Sequence, residues 1–163
     1  PVSTVGSHVS AVPNHQTGRV TPIETRAVTA MAGSFGYELD LNTLSDSERQ
    51  EIKEQIVRFK KDGSLIHNGL YYRLSNPMTD KFAVWEYVSE NRKEVLVHGV
   101  IFHTEPNHTQ YHIRLRGLLP EVNYRLAENG NIYSGAALMN GGILLPKSWG
   151  DYSPIEIHFI AEN

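Results

Sequence analysis

The residues best suited to chemistry lie in one polar stretch near the start of the chain. His8, Asn14, His15, Gln16 and Arg19 fall within twelve residues, and the few valines and alanines among them are too small a set to bury the segment. Imidazole, amide and guanidinium groups can exchange hydrogen bonds with a polar ligand. This stretch is therefore the candidate binding segment, with hydrogen bonds to nearby backbone as the alternative interpretation.

Four histidines farther along the chain could in principle bind a metal ion. They are His98, His103, His108 and His112. Two of them fall within predicted strands and one in a turn, and no Asp or Glu is spaced to complete a ligand shell. The chain also has no cysteine, which excludes thiolate zinc sites, cysteine nucleophiles and disulfides. We therefore expect no metal and no cofactor.

Signatures of other reaction classes do not occur in the sequence. The Gly141-Gly142 pair is not a phosphate loop, because no strand, loop and helix with a following lysine surrounds it. No Gly-x-Ser-x-Gly elbow is present, and no two carboxylates have a spacing that singles out an acid and a base. We predict no catalytic residue in this chain.

Two helices are predicted in the first third of the chain, each with a capping box at its start. Thr21 and Glu24 form the first box, with Pro22 at the first helical position. Ser45 and Glu48 form the second. The apolar faces at spacings of three and four residues are Ile23, Ala27, Ala30 and Met31 in the first helix, and Ile52, Ile56 and Phe59 in the second.

Glycines are predicted to end both helices. Gly33 and Gly36 offer left-handed exits from the first, and Gly63 ends the second. Between the helices, residues 37–41 alternate apolar and acidic types, which predicts a short extended connector with Glu38 and Asp40 facing outward.

After Gly69 the apolar pattern changes to a period of two, which predicts eight short strands. These are residues 70–74, 82–89, 94–104, 110–116, 123–128, 132–138, 143–145 and 155–161. The turns at residues 90–92, 129–130 and 140–142 contain Asn or Gly that can hold a positive φ. Short strands with tight turns favour an antiparallel β-sandwich or Greek key.

Six aromatic residues of these strands allow two interpretations. They could form a platform for a sugar ring, or be buried between sheets, as is more common for alternating strands. The residues are Tyr71, Tyr72, Trp85, Tyr87, Tyr111 and Tyr124.

Composition excludes two classes of partner. The formal net charge is -3 with a pI near 6.3, so no broad basic field exists to bind nucleic acid. No apolar run reaches the roughly 18 residues that a membrane span needs. We expect a cytoplasmic protein with neither nucleic acid nor membrane as a partner.

Several motifs together resemble a known enzyme family. They are GSHVSAVPNHQTGR and the following TP-x-ET-R helix start within residues 6–26, FGYELDL at 35–41, LSDSE at 44–48, and SGAALMNGGILL at 134–145. These segments closely resemble the C-terminal region of bacterial α-galactosidases of glycoside hydrolase family 36. The resemblance covers nearly the whole chain.

This resemblance implies a mainly β fragment of a larger enzyme. Residues 1–68 would be the end of a catalytic (β/α)8 barrel, with its last strand, loop and helices, and residues 69–163 would be a C-terminal antiparallel β-sandwich. The intact enzyme would hydrolyse terminal α-galactosides such as melibiose and raffinose-type sugars with retention, and would be a homo-oligomer. The loop would then lie at the face where barrel active sites form, so His8, Asn14, His15 and Arg19 are candidate substrate-binding residues.

One departure from the family limits what can be carried over. The family's catalytic carboxylates lie in a Lys-Trp-Asp and a Ser-Asp stretch, both ahead of the His-Val-Ser loop. Neither has a counterpart here, since Trp149-Gly150-Asp151 is a different motif and Ser45-Asp46 follows the loop at a helix start. We therefore expect the chain alone to be inactive, with a carbohydrate-binding module or a structural β-sandwich as the alternatives.

Overall fold

The computed structural model describes residues 2–107, 110–148 and 150–162, and it is mainly β. The chain divides into two compact units, the first extending to His67 and the second beginning at Asn68. Within the described ranges, no helix is both long enough and apolar enough to cross a membrane.

The first unit contains two parallel strands and two helices. Strand β1 spans Gly6–Ser10, helix α1 spans Ile23–Ala30, strand β2 spans Ser34–Glu38 and helix α2 spans Asp46–Asn68; short 3-10 turns occupy Val2–Thr4 and Leu41–Thr43. Strands β1 and β2 pair in register, with Val9 beside Tyr37. The prediction that Glu38 and Asp40 face outward is confirmed, but Tyr37 and Glu38 belong to the paired strand β2 and not to a connector.

Both helices lie on one face of the two-stranded sheet. Val9 is fully buried on that face, and the ring of Phe35, which lies on the same face of β2, is 4.9 Å from the ring of Phe59 in α2. The predicted apolar face of α1 is confirmed, since Ile23, Ala27, Ala30 and Met31 are all buried.

A hydrogen-bonded chain of polar side chains ties these elements together. The Tyr37 hydroxyl donates to Gln55 Oε1 at 2.8 Å, and Gln55 Nε2 donates to Glu24 Oε2 at 3.0 Å. Arg58 Nη2 donates to the other Glu24 oxygen at 2.5 Å. Burial, reinforced by the Glu24 charge, raises the pKa of Tyr37 to about 12.

This network explains why the predicted capping box at Thr21 and Glu24 does not form. Among the described residues no side chain caps helix α1, and the helix begins at Ile23, so Pro22 is its N-cap and not, as predicted, its first helical residue. Glu24 turns instead toward Arg58 and Gln55 of α2, where a charge-assisted bond competes with a local cap.

Helix α2 begins as predicted but ends later. Glu48 Oε2 accepts from the Ser45 N–H at 2.9 Å, and the Glu48 N–H donates to Ser45 Oγ at 3.2 Å, which confirms the capping box. The predicted end at Gly63 was wrong, because the helix continues to Asn68. Burial of Leu65 and Ile66 beyond the glycine outweighs its cost of roughly 1 kcal/mol in a helix.

The predicted exits at Gly33 and Gly36 were also wrong, since neither has a positive φ. Gly33 serves a close approach instead: a Cβ there would lie 2.5 Å from the Val5 carbonyl oxygen. The glycine is required by the packing of two backbones.

The second unit is built on a six-stranded antiparallel sheet with the order β3-β4-β5-β10-β7-β8, and a separate ribbon pairs β6 with β9. A strand is present in each of the eight predicted segments, but most are shorter than predicted, β10 begins two residues earlier, and residues 137–138, predicted as strand, are helical. The strands are β3 Leu70–Arg73, β4 Phe82–Val88, β5 Glu94–Ile101, β6 His112–Ile113, β7 Asn123–Leu126, β8 Ile132–Ser134, β9 Ile143–Leu144 and β10 Ser153–Ala161. A short π-helical turn, Ala137–Gly141, precedes β9.

Positive φ occurs as predicted in the turns at residues 129–130 and 140–142, whereas in the turn at 90–92 it falls on Arg92 and not on Glu90 or Asn91. Arg92, Gly130 and Gly142 have φ values of 57°, 77° and 77°. These values reverse the chain within a few residues, so adjacent strands pair with short connections.

One face of the sheet and the residues around β6 and β9 share a single apolar core. The core includes Val84, Val88, Val95, Val97, Ile113, Leu115, Leu138, Leu145, Ile157 and Phe159. Along β5 every residue from Val95 to Gly99 is buried, which places this strand at the centre of the unit.

A carboxyl group is buried on the core face of β4. Glu86 stands opposite Tyr72 of β3 and Val97 of β5, and it is fully buried. Its Oε1 accepts from the Arg116 N–H at 2.7 Å, and in the described part of the chain Oε2 has no hydrogen-bond partner. Burial raises the pKa of Glu86 to about 8, although the hydrogen bond from the Arg116 N–H and the positive charge of Arg116 both act to lower it.

Candidate functional site

The candidate site lies at the carboxyl ends of the two parallel strands of the first unit. Because side chains alternate along a strand, His8 and Ser10 of β1 and Gly36 and Glu38 of β2 share the face opposite the helices. Carboxyl ends of parallel strands in βα folds are where ligands commonly bind. This face is polar and carries small residues, which distinguishes it from the apolar helix side.

The closest pair on this face is His8 and Glu38. His8 Nε2 lies 2.6 Å from Glu38 Oε2, and the two side chains are 49 % and 75 % exposed. Sequence reasoning predicted Glu38 only as an outward-facing residue. Its meeting with His8 depends on the parallel register of β1 and β2, which the short alternation in residues 37–41 did not reveal.

Asn14 organises the turn that follows β1. Its Oδ1 accepts from the Gln16 N–H at 3.1 Å, the Thr17 N–H at 3.0 Å and the Thr17 hydroxyl at 3.0 Å. Backbone bonds from Asn14 N to Arg19 O and from Gly18 N to Asn14 O, both 2.8 Å, close the turn. The oxygen that could have met a ligand is thus used to shape the loop.

His15 and Arg19 lie on the same turn as Asn14, and both are exposed. The Arg19 N–H donates to Thr17 Oγ1 at 3.4 Å, so its backbone belongs to the turn. The structure therefore brings Asn14, His15 and Arg19 together in one loop, whereas His8 stands on the strand beside Glu38.

Arg26 holds both ends of the loop and was missed by sequence reasoning. Its Nη1 donates to the Ser10 carbonyl oxygen at 2.5 Å, and its Nε donates to the Thr21 carbonyl oxygen at 3.0 Å. Burial lowers the pKa of Arg26, which the Glu48 charge partly opposes. A single guanidinium thus fixes where the segment leaves β1 and enters α1, and the segment between includes a cis Val12–Pro13 peptide bond.

The histidines considered for a metal occupy separate places. His98 is buried at 3.4 Å from Glu156, with the rings of Trp85 and Tyr87 edge-on to its imidazole. His103 is 3.7 Å from Asp151, and His112 is exposed on β6. His108 and Trp149 lie outside the described residues. Across the described ranges, no three His, Asp or Glu side chains converge as metal ligands.

The six aromatic residues are distributed over both faces of the second unit. Tyr87 and Tyr124 are fully buried, whereas Tyr71 is about half exposed. Tyr71 and Tyr72 are adjacent on β3 and point to opposite faces. The six aromatic residues therefore do not form one shared platform for a sugar ring.

An open groove of about 510 Å³ lies beside β10 in the second unit. It lies beside the part of β10 that precedes Phe159, where β10 no longer pairs with β7 because that pairing ends at Leu126. The described lining includes Tyr133, Ile143, Phe159, Gln110, Glu128 and Asn129, with no Lys, Arg or His among the described lining residues. The lining of the groove is thus largely apolar, and its polar groups are neutral or acidic. The sequence did not predict this groove.

Comparison with family models gives two matches. Residues 1–69 match the model described as Melibiase, and residues 82–159 match the model described as Glycosyl hydrolase family 36 C-terminal domain. The first range covers the first compact unit, and the second range covers most of the second unit.

Curated relatives agree with these matches. The chain is 52 % identical over 159 residues to the bifunctional alpha-galactosidase/sucrose kinase AgaSK of Mediterraneibacter gnavus, which covers 98 % of this chain and 17 % of that protein. It is 41 % identical to alpha-galactosidase AgaA of Geobacillus stearothermophilus, covering 93 % of this chain and 21 % of that protein.

Solved structures show the same relationship. The galactosidase domain of AgaSK superimposes with a TM-score of 0.97 at 51 % identity, covering 99 % of this chain and 22 % of that chain. The G. stearothermophilus AgaA structure gives a TM-score of 0.95 at 39 % identity, with the same coverage. The chain spans about a fifth of the length of the relatives it matches.

Proposed function

Because the chain belongs to glycoside hydrolase family 36, we propose that it is the C-terminal part of an α-galactosidase that cleaves terminal α-galactosides with retention. The support is that the relatives carrying both matched regions are named α-galactosidases. Melibiose and raffinose-type sugars are the expected substrates of the intact enzyme.

We propose that residues 1–68 are the closing part of a (β/α)8 barrel and that residues 69–163 are an accessory antiparallel β-sandwich. The observation that carries this proposal is the one-sided arrangement of the first unit: α1 and α2 lie on the side of Val9 and Phe35, as helices do outside such a barrel. The unit contributes two barrel strands, β1 and β2, where the sequence predicted one.

On this proposal the polar face of β1 and β2 forms one wall of the galactose pocket. His8 and Glu38 supply donors and acceptors for sugar hydroxyls, and the loop held by Arg26 covers the carboxyl end of β1. Asn14 acts by shaping that loop, while His15 and Arg19 lie on its exposed surface. These residues bind and orient substrate, and none is assigned a covalent or proton-transfer step.

The chain alone is proposed to be inactive. Retaining hydrolysis needs a nucleophile and an acid/base carboxyl group roughly 5 Å apart. On the described part of the candidate face, the carboxylate Glu38 meets an imidazole and no second carboxylate. The two catalytic groups would come from the rest of the barrel, which is this chain's expected partner.

The test compares the 163-residue chain with the intact protein on a nitrophenyl α-galactoside, melibiose and raffinose. We expect turnover by the intact protein and none by the chain at equal molar concentration. Turnover by the chain itself would refute the assignment of the catalytic groups to other segments. An intact protein without α-galactosidase activity would refute the proposed function.

The groove beside β10 favours a second candidate function, a non-catalytic carbohydrate-binding module. A pyranose ring has an apolar face that suits Tyr133 and Ile143, and hydroxyl groups that suit Gln110, Glu128 and Asn129. Titration of the chain with galactose, melibiose or raffinose, followed by NMR shifts at these residues, tests it. A purely structural sandwich predicts no saturable shifts.

Two further properties of the intact enzyme are part of the proposal. We propose a homo-oligomer located in the cytoplasm, on the family resemblance and on the absence of cysteine from this chain. Light scattering of the intact protein and fractionation of the source cells test these two statements.

A further inference from the structure

We infer that Glu38 is a positioning residue, which orients His8 so that the imidazole presents Nδ1 to a hydroxyl group of the sugar. The inference rests on the proposed function, since it names how one wall of the galactose pocket binds its ligand. It assigns a role to a carboxylate that lies outside the loop and meets an imidazole, with no second carboxylate beside it in the described part of the chain.

The pair is built into the register of the two strands. Ser10 stands beside Glu38 and His8 stands beside Gly36, so the carboxylate and the imidazole approach diagonally across one strand pair. Their facing atoms, Nε2 and Oε2, are 2.6 Å apart, which makes the two side chains a close ion-pair contact.

Space for a ligand lies directly beside the pair. Gly36 carries no side chain, and a Cβ placed there would meet no atom within 4 Å. Ser10, the other neighbour on this face, is also small. The imidazole therefore stands beside open space on this polar face, and its second nitrogen can meet a ligand that occupies that space.

The chemistry of the pair fixes what that nitrogen offers. An ionised carboxylate has only lone pairs to offer, so the nitrogen that faces it at 2.6 Å, His8 Nε2, carries a proton. In the neutral imidazole the proton is then on Nε2, and Nδ1 has a free lone pair. Nδ1 accepts a hydrogen bond from a sugar hydroxyl, which donates readily, and Glu38 holds the ring in that orientation.

The principal test is Glu38→Gln in the intact α-galactosidase that contains this chain. A neutral glutamine amide can either accept from Nε2–H or donate to Nε2, so the imidazole is no longer held in the Nε2–H form and Nδ1 is no longer a constant acceptor. The bond would be lost in the ground state and the transition state alike, so we expect KM to rise roughly fivefold to tenfold with kcat within twofold of wild type. Glu51→Gln, the same change on α2, is the matched control and should leave both parameters unchanged.

Two readouts separate positioning from a general structural effect. Nitrogen-15 spectra of the imidazoles, with the His8 signals assigned by their loss in His8→Gln, should show the Nε2–H form in wild type and a changed form in Glu38→Gln. In the His8→Gln background, Glu38→Gln should cause no further rise in KM, because Glu38 acts through His8.

The outcomes are distinguishable. Active enzyme with an unchanged KM in Glu38→Gln, or an equal additional loss in the His8→Gln background, would overturn the inference and leave the proposed function standing. An intact protein that cleaves no α-galactoside would overturn both.

Discussion

The buried carboxyl group of Glu86 gives the sharpest prediction about the second unit. This side chain lies on the core face of β4, with one oxygen bonded to the Arg116 N–H. Glu86→Gln keeps a carbonyl oxygen for that bond and removes the ionisation. We expect the variant to lose most of the pH dependence that Glu86 gives to the free energy of unfolding.

The size and sign of the effect follow from the two pKa values. The pKa of Glu86 is about 8 in the folded chain against an ordinary 4.5. Between these values the folded state holds a proton that the unfolded state has released, so stability falls as pH rises. The slope is roughly 1.4 kcal/mol per pH unit, and the total approaches roughly 5 kcal/mol by pH 8. Below pH 4.5 the penalty is absent.

Urea unfolding of wild type and Glu86→Gln from pH 5 to pH 9 measures this slope as the difference between the two proteins. Taking the difference cancels the contributions of the other titrating groups to the free energy of unfolding. Any constant cost of the new amide shifts this free energy equally at every pH and does not change its slope. Glu90→Gln, at an exposed hairpin position, is the control and should run parallel to wild type. Parallel curves for Glu86→Gln would refute a buried, proton-holding carboxyl.

Three further changes test the local structures described above. Ser45→Ala should cost about 1 kcal/mol of unfolding free energy through loss of the α2 capping box, and an unchanged urea midpoint would contradict it. Arg26→Lys cannot bridge both the Ser10 and Thr21 carbonyls, so trypsin should cleave after Arg19 several-fold faster at unchanged melting temperature; equal cleavage rates would show that other contacts hold the loop. Gly117 has a φ of 70°, and a Cβ added there would lie 2.7 Å from the Tyr72 ring, so Gly117→Ala should lower the free energy of unfolding by about 2 kcal/mol or more. An unchanged free energy of unfolding would mean that the ring moves aside.

Much of the fold could be predicted from local pattern alone. The Ser45 and Glu48 capping box, the eight strands after Gly69 and the positive-φ turns all depend on residues only a few positions apart. Such short-range signals are physical properties of the segment itself, and they persist where no distant contact competes with them.

The errors arose where distant partners decide the outcome. Glu24 leaves its local cap for Arg58, 34 residues away, and α2 passes Gly63 because of burial that no local pattern reports. The candidate site follows the same rule: His8 was identified by residue type, whereas Glu38 and Arg26 gain their roles only through the pairing of β1 with β2 and the path of the loop.

The position of β10 within its sheet has a consequence for how this unit is made. Although it follows all the other strands in sequence, β10 lies between β5 and β7 and joins two halves of the sheet; Glu94 and His158, which meet across this junction, are 64 residues apart. Until β10 has been synthesised, both halves have bare inner edges that can pair with other chains. A premature stop codon just before Ser153 would therefore produce an aggregating protein rather than a slightly shorter domain.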